Sequence, residues 1–327
     1  NDAGWTRRWY VDERINGFGG IFKHFKEEIN MNRRSFSQLM TAGVLGTQTL
    51  KAGTANANTF SLNYAPHFGM FEQHAGKDYI DQLKFMHEMG FRALEDNEMM
   101  EKPVEVQEKI GATLGRLGMD MGVFVIKFPG FFDKSHMTTG DKTWTDMFLK
   151  SCKEAVETSK RVNAKWATVV PGNFTRNLPM GIQTGNVIEV LKRGAEILEP
   201  HKLTMVLEPL SDNPELFLRH SDQSYMICKA VDSPSCKILF DMYHMQRNEG
   251  NMIKNMDLCW SEIAYLQIGD NPGRKEPGTG EVNYANIFEH LRKKNYKGVL
   301  GMEHGNFHPG KEGELKLIEA YRKADRV

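Results

Sequence analysis

From about residue 60 onward, short apolar runs alternate with longer stretches in which apolar residues recur every three or four positions. Eight short runs read as strands: FSLNYAP (60–66), FRALEDN (91–97), MDMGVFVIKF (119–128), KWATVVPG (165–172), LTMVLEPL (203–210), CKILFDMYH (236–244), IAYLQIGD (263–270) and GVLGMEHG (298–305). The helical period is clearest over 77–89, 103–117, 144–161, 181–201, 221–231, 284–294 and 314–323. Ser221 and Asn283 stand where N-caps are expected, and Gly90 and Gly118 stand between a helix and the next strand. This alternation predicts a parallel sheet covered by helices. Eight strand-helix units in roughly 250 residues match a closed barrel, although an open doubly wound sheet would show the same pattern.

The chemistry at the strand ends decides between them. Glu208, Asp241, Gln267 and Glu303 each follow an apolar run. A carboxylate at the end of a buried strand is costly to desolvate unless it is paired or bound to a cation. Three carboxylates and one amide on successive strands converge on one ion only at the curved C-terminal face of a barrel. The expected fold is therefore a single (β/α)8 TIM barrel. If the Gln267 carbonyl turns inward, the set supplies only oxygen, which suits one Mg²⁺ or Mn²⁺ ion. Three carboxylates leave excess negative charge, and Arg274 and His244 are at hand for an anionic substrate. His67 and Glu95 face the same rim. Asp270, Glu276 and Glu281 are expected to pair Arg274 or tie the loop that carries it.

Charge and composition narrow the class. In 327 residues, 42 Lys and Arg balance 42 Asp and Glu, so no basic surface for nucleic acid is expected. Cys152, Cys228, Cys236 and Cys259 form no CxxC pair and read as small core residues. Residues 31–57 carry Arg33-Arg34, a weakly apolar stretch and Ala55-Asn56-Ala57, in the order of a twin-arginine export signal. Residues 1–30 are then an unassigned upstream segment, Met31 the expected start and 58–327 the barrel. The apolar stretch is too short and broken for a permanent membrane span. The expected location is periplasmic, or cytoplasmic if the signal is not used.

The run QIGDNPGRKEPGTGEVNY, with LEP, FDMYH and GMEHG in that order, resembles the hydroxypyruvate isomerase family. That family lies within the xylose isomerase-like barrels, which include sugar isomerases and 3-epimerases, and the resemblance covers about residues 60–325. It implies that Glu208, Asp241, Gln267 and Glu303 bind the divalent metal and that Glu208 and Glu303 also move the proton. It implies that His244 and Arg274 contact substrate oxygens. Gln267 is similar to the hydroxypyruvate isomerase branch, since the epimerase branch more often has His there. The implied reaction is proton transfer through an enediolate of a small hydroxy-carbonyl compound, a free sugar or a sugar acid. A lyase or dehydratase acting on a keto sugar, and a non-catalytic periplasmic sugar-binding protein, fit many of the same residues. A barrel-shaped metal nuclease fits less well, because its ligands would include more histidines. A homo-oligomer is compatible with the sequence.

Overall fold

The computed structural model describes residues 60–326. The upstream segment and export signal expected over 1–57 lie outside the described residues. The strands are β1 (Asn63–Ala65), β2 (Ala93–Leu94), β3 (Asp120–Met121), β4 (Trp166–Val169), β5 (Thr204–Leu207), β6 (Cys236–Asp241), β7 (Ile263–Gln267) and β8 (Val299–Gly301). All pair in parallel, six in the order β1-β8-β7-β6-β5-β4 and two as β2-β3. Parallel bridges His67 to Glu95 and Val125 to Thr168 join the two groups, so the sheet closes in chain order. The expected (β/α)8 TIM barrel is the observed fold.

The helices are α1 (Glu72–Ala75), α2 (Tyr79–Glu88), α3 (Val104–Leu117), α4 (Lys142–Val162), α5 (Met180–Leu198), α6 (Ser221–Val231), α7 (Met242–Asn248), α8 (Met252–Cys259), α9 (Tyr284–Lys293) and α10 (Gly310–Asp325). Asp78, Asp141 and Asn283 cap α2, α4 and α9 through side-chain oxygens. Ser221 does not cap α6 as its position suggested. It is the first helical residue, and the N-cap is His220, without a side-chain cap bond.

Side chains alternate between the two faces of a strand, and this alternation builds the site. Ala65, Ala93, Val123, Val206, Leu239, Tyr265 and Val299 form one buried cluster inside the barrel. Leu207, Ile238, Phe240, Leu266 and Leu300, on the opposite face, pack into the larger core under the helices. Two residues beyond Val206, Leu239 and Tyr265, the inward face carries Glu208, Asp241 and Gln267. Two steps beyond Val299 it reaches Glu303. Apolar residues therefore fill the barrel and polar ones crown it, all on one period. All four cysteines are buried and free.

The sequence reading overran the sixth strand. It ends at Asp241, whose carboxylate accepts the Tyr243 N–H at 2.7 Å and starts α7 directly. His244 is consequently in the first turn of a helix, not at a strand end. The third strand is also shorter than expected, because the chain leaves regular pairing at Gly122. A Cβ there would lie 2.3 Å from the Tyr265 hydroxyl.

Candidate active site

Glu208, Asp241, Gln267, Glu303, His244 and Arg274 all meet at the C-terminal mouth of the barrel. Arg274 Nη2 lies 3.0 Å from Asp241 Oδ2 and 2.9 Å from Glu303 Oε2. Its Nε donates to the Glu303 carbonyl at 3.0 Å, and its guanidinium sits over the Tyr243 ring at 4.8 Å. Asn97 donates to Glu303 Oε1 at 2.9 Å. His244 Nε2 is 3.5 Å from Asp241 Oδ2 and 3.7 Å from Glu208 Oε1.

Several buried polar atoms here lack a hydrogen-bond partner: Glu208 Oε1, Gln267 Oε1, His244 Nε2 and Glu303 Oε2, the last held only by its ion pair. Buried polar atoms are seldom left so. Three of the four are oxygens, and with Asp241 they form a donor set suited to a hard divalent cation. Gln267 donates its amide nitrogen to Glu95 Oε1 at 2.7 Å, which leaves Oε1 as the end without a partner.

By proximity alone, Glu208, Asp241 and His244 form the one group of three metal-ligating side chains among the described residues. The hydrogen bonds of His244 argue for a different role. The Ser211 backbone N–H, which can only donate, points at His244 Nδ1 from 3.2 Å, with Ser211 Oγ at 2.8 Å. Nδ1 must accept, so in the neutral ring Nε2 carries the proton and faces the carboxylates as a donor. A donor N–H does not ligate a cation, but it does hold an oxygen.

Burial, with the charges of Glu303 and Asp241, raises Glu208 well above the usual carboxylate range. Glu303 rises to about 7. Burial is the main cause, Arg274 opposes it, and Asp241 and Glu95 add to it. Burial lowers His244 against the pull of Asp241, so it is a neutral donor and not the cation expected from sequence. Burial alone would lower His67, yet the charge and hydrogen bond of Glu95 outweigh it and the ring is raised.

Glu95 and His67 are separated in role. Glu95 is fully buried, bonded to His67 at 2.9 Å, while His67 reaches the cavity wall. That cavity, of about 530 Å³, is lined by His67, Asn97, Arg274, Glu303 and His304 among others, a volume ordinary for a small-molecule site.

The loop after β7 is tied from within. Asp270 accepts backbone N–H groups of Asn271, Gly278, Gly280 and Val282 at 2.8–3.0 Å. Glu276 accepts the Phe307 N–H at 2.8 Å and so joins this loop to the one after β8. These two acids tie the loop and do not pair Arg274, whose partners are the site carboxylates themselves. Arg274 has φ of 51°, the left-handed conformation that a side chain seldom adopts, and the closed loop holds it there. Asn97, Ser211 and Tyr243 were not singled out from sequence. Asn97 had a signal, since it lies two residues after Glu95 on the same inward face.

A closed eight-stranded barrel with acidic and amide side chains gathered at the C-terminal ends of its strands defines a class of barrel enzymes by architecture and site together. Within it, the chain belongs to the xylose isomerase-like TIM barrel family, whose family model matches residues 83–324. It is 34% identical over 138 residues to the hydroxypyruvate isomerase of Escherichia coli K12, covering 42% of this chain and 53% of that one. The chain thus spans about half the length of this curated relative. Among solved structures, the AP endonuclease of family 2 from Brucella melitensis superposes with a TM-score of 0.67 at 20% identity, covering 77% of this chain and 96% of that one. The 3-keto-D-glucoside 4-epimerase of E. coli superposes with a TM-score of 0.67 at 19% identity, covering 80% and 99%. At these identities the structural likenesses speak for the fold alone, and the residues must speak for the chemistry.

Proposed function

We propose that this protein is a divalent-metal-dependent isomerase or epimerase of a small hydroxy-carbonyl substrate, a hydroxy-keto acid or sugar, working through an enediolate. The observation that carries the reading is the pair Glu208 and Glu303. Both are raised in proton affinity, and they face Asp241 and Gln267 with oxygens that lack hydrogen-bond partners. The 34% identity to a hydroxypyruvate isomerase supports it.

Glu208, Asp241, Gln267 and Glu303 would hold the cation. When bound, a divalent cation supplies Lewis acidity that acidifies the C–H between a carbonyl and a hydroxyl. Glu303, raised in proton affinity by its burial, is suited to take or return that proton, with Glu208 as its partner. His244 Nε2–H is placed to donate to a substrate oxygen, and Arg274 to offset its negative charge. Return of the proton to the neighbouring carbon gives an isomer, and return to the opposite face gives an epimer. A nuclease reading is not favoured, because the site offers carboxylates and one histidine already committed as a donor.

The test is loss of the proton alpha to the carbonyl, followed by NMR in D₂O with Mn²⁺ or Mg²⁺ present, on hydroxypyruvate, ketoses and 3-keto glycosides. Exchange that EDTA abolishes is the expected result, and the products then separate isomerisation, epimerisation and elimination. A folded, metal-loaded protein that exchanges no compound of the panel would overturn the reading. Export through the twin-arginine-like segment 31–57 is also proposed, tested by sequencing the N-terminus of protein recovered from the periplasm.

A further inference from the structure

Glu95 has no part in the steps above, yet the barrel is shaped around it. It is 0% exposed and accepts three side-chain donors: Tyr265 O–H at 2.7 Å on Oε2, and Gln267 Nε2 at 2.7 Å and His67 Nε2 at 2.9 Å on Oε1. Two glycines make the space. A Cβ on Gly301 would sit 1.7 Å from Glu95 Oε2, and one on Gly122 would sit 2.3 Å from the Tyr265 hydroxyl. Any side chain at either position would displace this polar layer.

The chemistry of the contact is directional. A primary amide has two ends of nearly equal shape, one donating and one accepting, and packing alone does not choose between them. An ionised carboxylate only accepts. Beside Glu95, therefore, Gln267 must present its NH₂, and its carbonyl must turn away, where Oε1 is buried without a partner.

We propose that Glu95 is a positioning residue that selects which end of Gln267 is offered to the cation, with Tyr265, Gly122 and Gly301 holding it in place. The inference rests on the metal reading above. It also accounts for the side chains at β7: Tyr265 and Gln267, two residues apart on one face, contact the same carboxylate from successive levels of the barrel.

The experiment is calorimetric titration of metal-stripped full-length protein with Mn²⁺, in a double-mutant cycle of Glu95 and Gln267. E95Q places an amide beside an amide and frees Gln267 to flip. Its Mn²⁺ affinity is expected to fall by about 10–100-fold, the usual effect of removing a group that orients a ligand. In a Q267E background both side-chain oxygens are equivalent and no orientation is needed. There the same E95Q change is expected to cost no affinity and to relieve repulsion between two carboxylates. Equal losses in both backgrounds would mean that Glu95 acts only through its charge or through packing, and would overturn the proposal. So would an unchanged affinity in E95Q alone. If E95Q does not fold, G301A tests the same point by displacing the carboxylate from β8, with G115A, at a glycine with open space around it, as the control. Unchanged Mn²⁺ affinity in folded G301A would likewise refute it. Wild-type protein that binds no Mn²⁺ would remove the metal reading itself, an outcome distinct from wild-type binding with an indifferent Glu95.

Discussion

At the N-terminal end of the barrel, acids have basic partners close by: the buried Glu262 meets Lys237 at 2.5 Å and Lys229 at 3.4 Å, and the half-exposed Asp120 lies 3.5 Å from Lys165. Asp325 accepts from Ser61 and Tyr64 and lies near Arg292. At the C-terminal end, Asp241 and Glu303 share the Arg274 guanidinium, Glu208 has no ion pair with it, and four polar atoms of the site find no hydrogen bond. The same strands thus carry compensated charge at one end and uncompensated charge at the other. The first arrangement stabilises a fold, whereas the second costs stability and is retained where a ligand supplies what is missing.

Neutralising each end separately should sharpen the contrast. At the mouth, E303Q and E208Q are expected to lower turnover by about 10²–10⁴-fold, the usual contribution of a general acid or base, while the metal-free protein stays folded. Steady-state kinetics with a substrate found in the exchange screen would check this, and full turnover in both variants would break the comparison.

The next largest effect is in pH. Glu303 is raised in the folded state to about 7 from an ordinary 4.5, and Glu208 is raised too. For such groups the folded, metal-free chain binds more protons than the unfolded chain between those values. The contribution of Glu303 to stability is complete below about pH 4.5 and is lost as pH rises through about 7, and that of Glu208 is lost in the same direction. Mn²⁺ competes with those protons, so its thermal stabilisation should grow across that window. His136 and His304, lowered by burial to about 4 and about 3, work in the opposite sense, losing stability as pH falls below 6.5. The carboxylate effect is therefore read as the difference between wild type and the E208Q/E303Q variant, and a pH-independent difference would count against it.

At the opposite end, E262Q should destabilise the protein by about 1–2 kcal/mol, less than a fully buried pair because Lys237 is a quarter exposed. Turnover should not change. Chemical denaturation together with kinetics measures both, and a loss of activity without loss of stability would show that the two ends are not separable. Smallest is G115A, in a helical turn of α3 with nothing within 4 Å, expected to stabilise by about 0.5–1 kcal/mol and to affect neither end.

The strands and the groups that crown them were legible because one period controls both. A run that is apolar at alternate positions and then turns acidic in phase, as in Val206 to Glu208, gives strand, facing and site together. What could not be read depends on distance in sequence. Nothing in GVLGMEHG reveals that Gly301 is small because Glu95, just after β2, occupies its Cβ position. Ser211 decides the His244 tautomer across 33 residues. The start of α7 was hidden because Asp241 plays two parts, strand-end acid and N-cap, and the apolar pattern records only the first.

The loop after β7 has a further consequence, in how freely its sequence can vary. Asp270 grips it through four main-chain N–H groups and no side chain, so this part of the fastening, unlike the tie from Glu276 to Phe307, takes no account of which residues lie between. Gly278 and Gly280 are the exceptions, the first for its left-handed φ of 88° and the second because a Cβ there would lie 1.9 Å from the Asn271 carbonyl. With Asp270, Glu276, Gly278 and Gly280 kept, the exposed Thr279 and Glu281 become positions that can be varied without unseating Arg274. The loop is in that sense a replaceable cartridge, whose exposed positions vary while its anchor stays fixed.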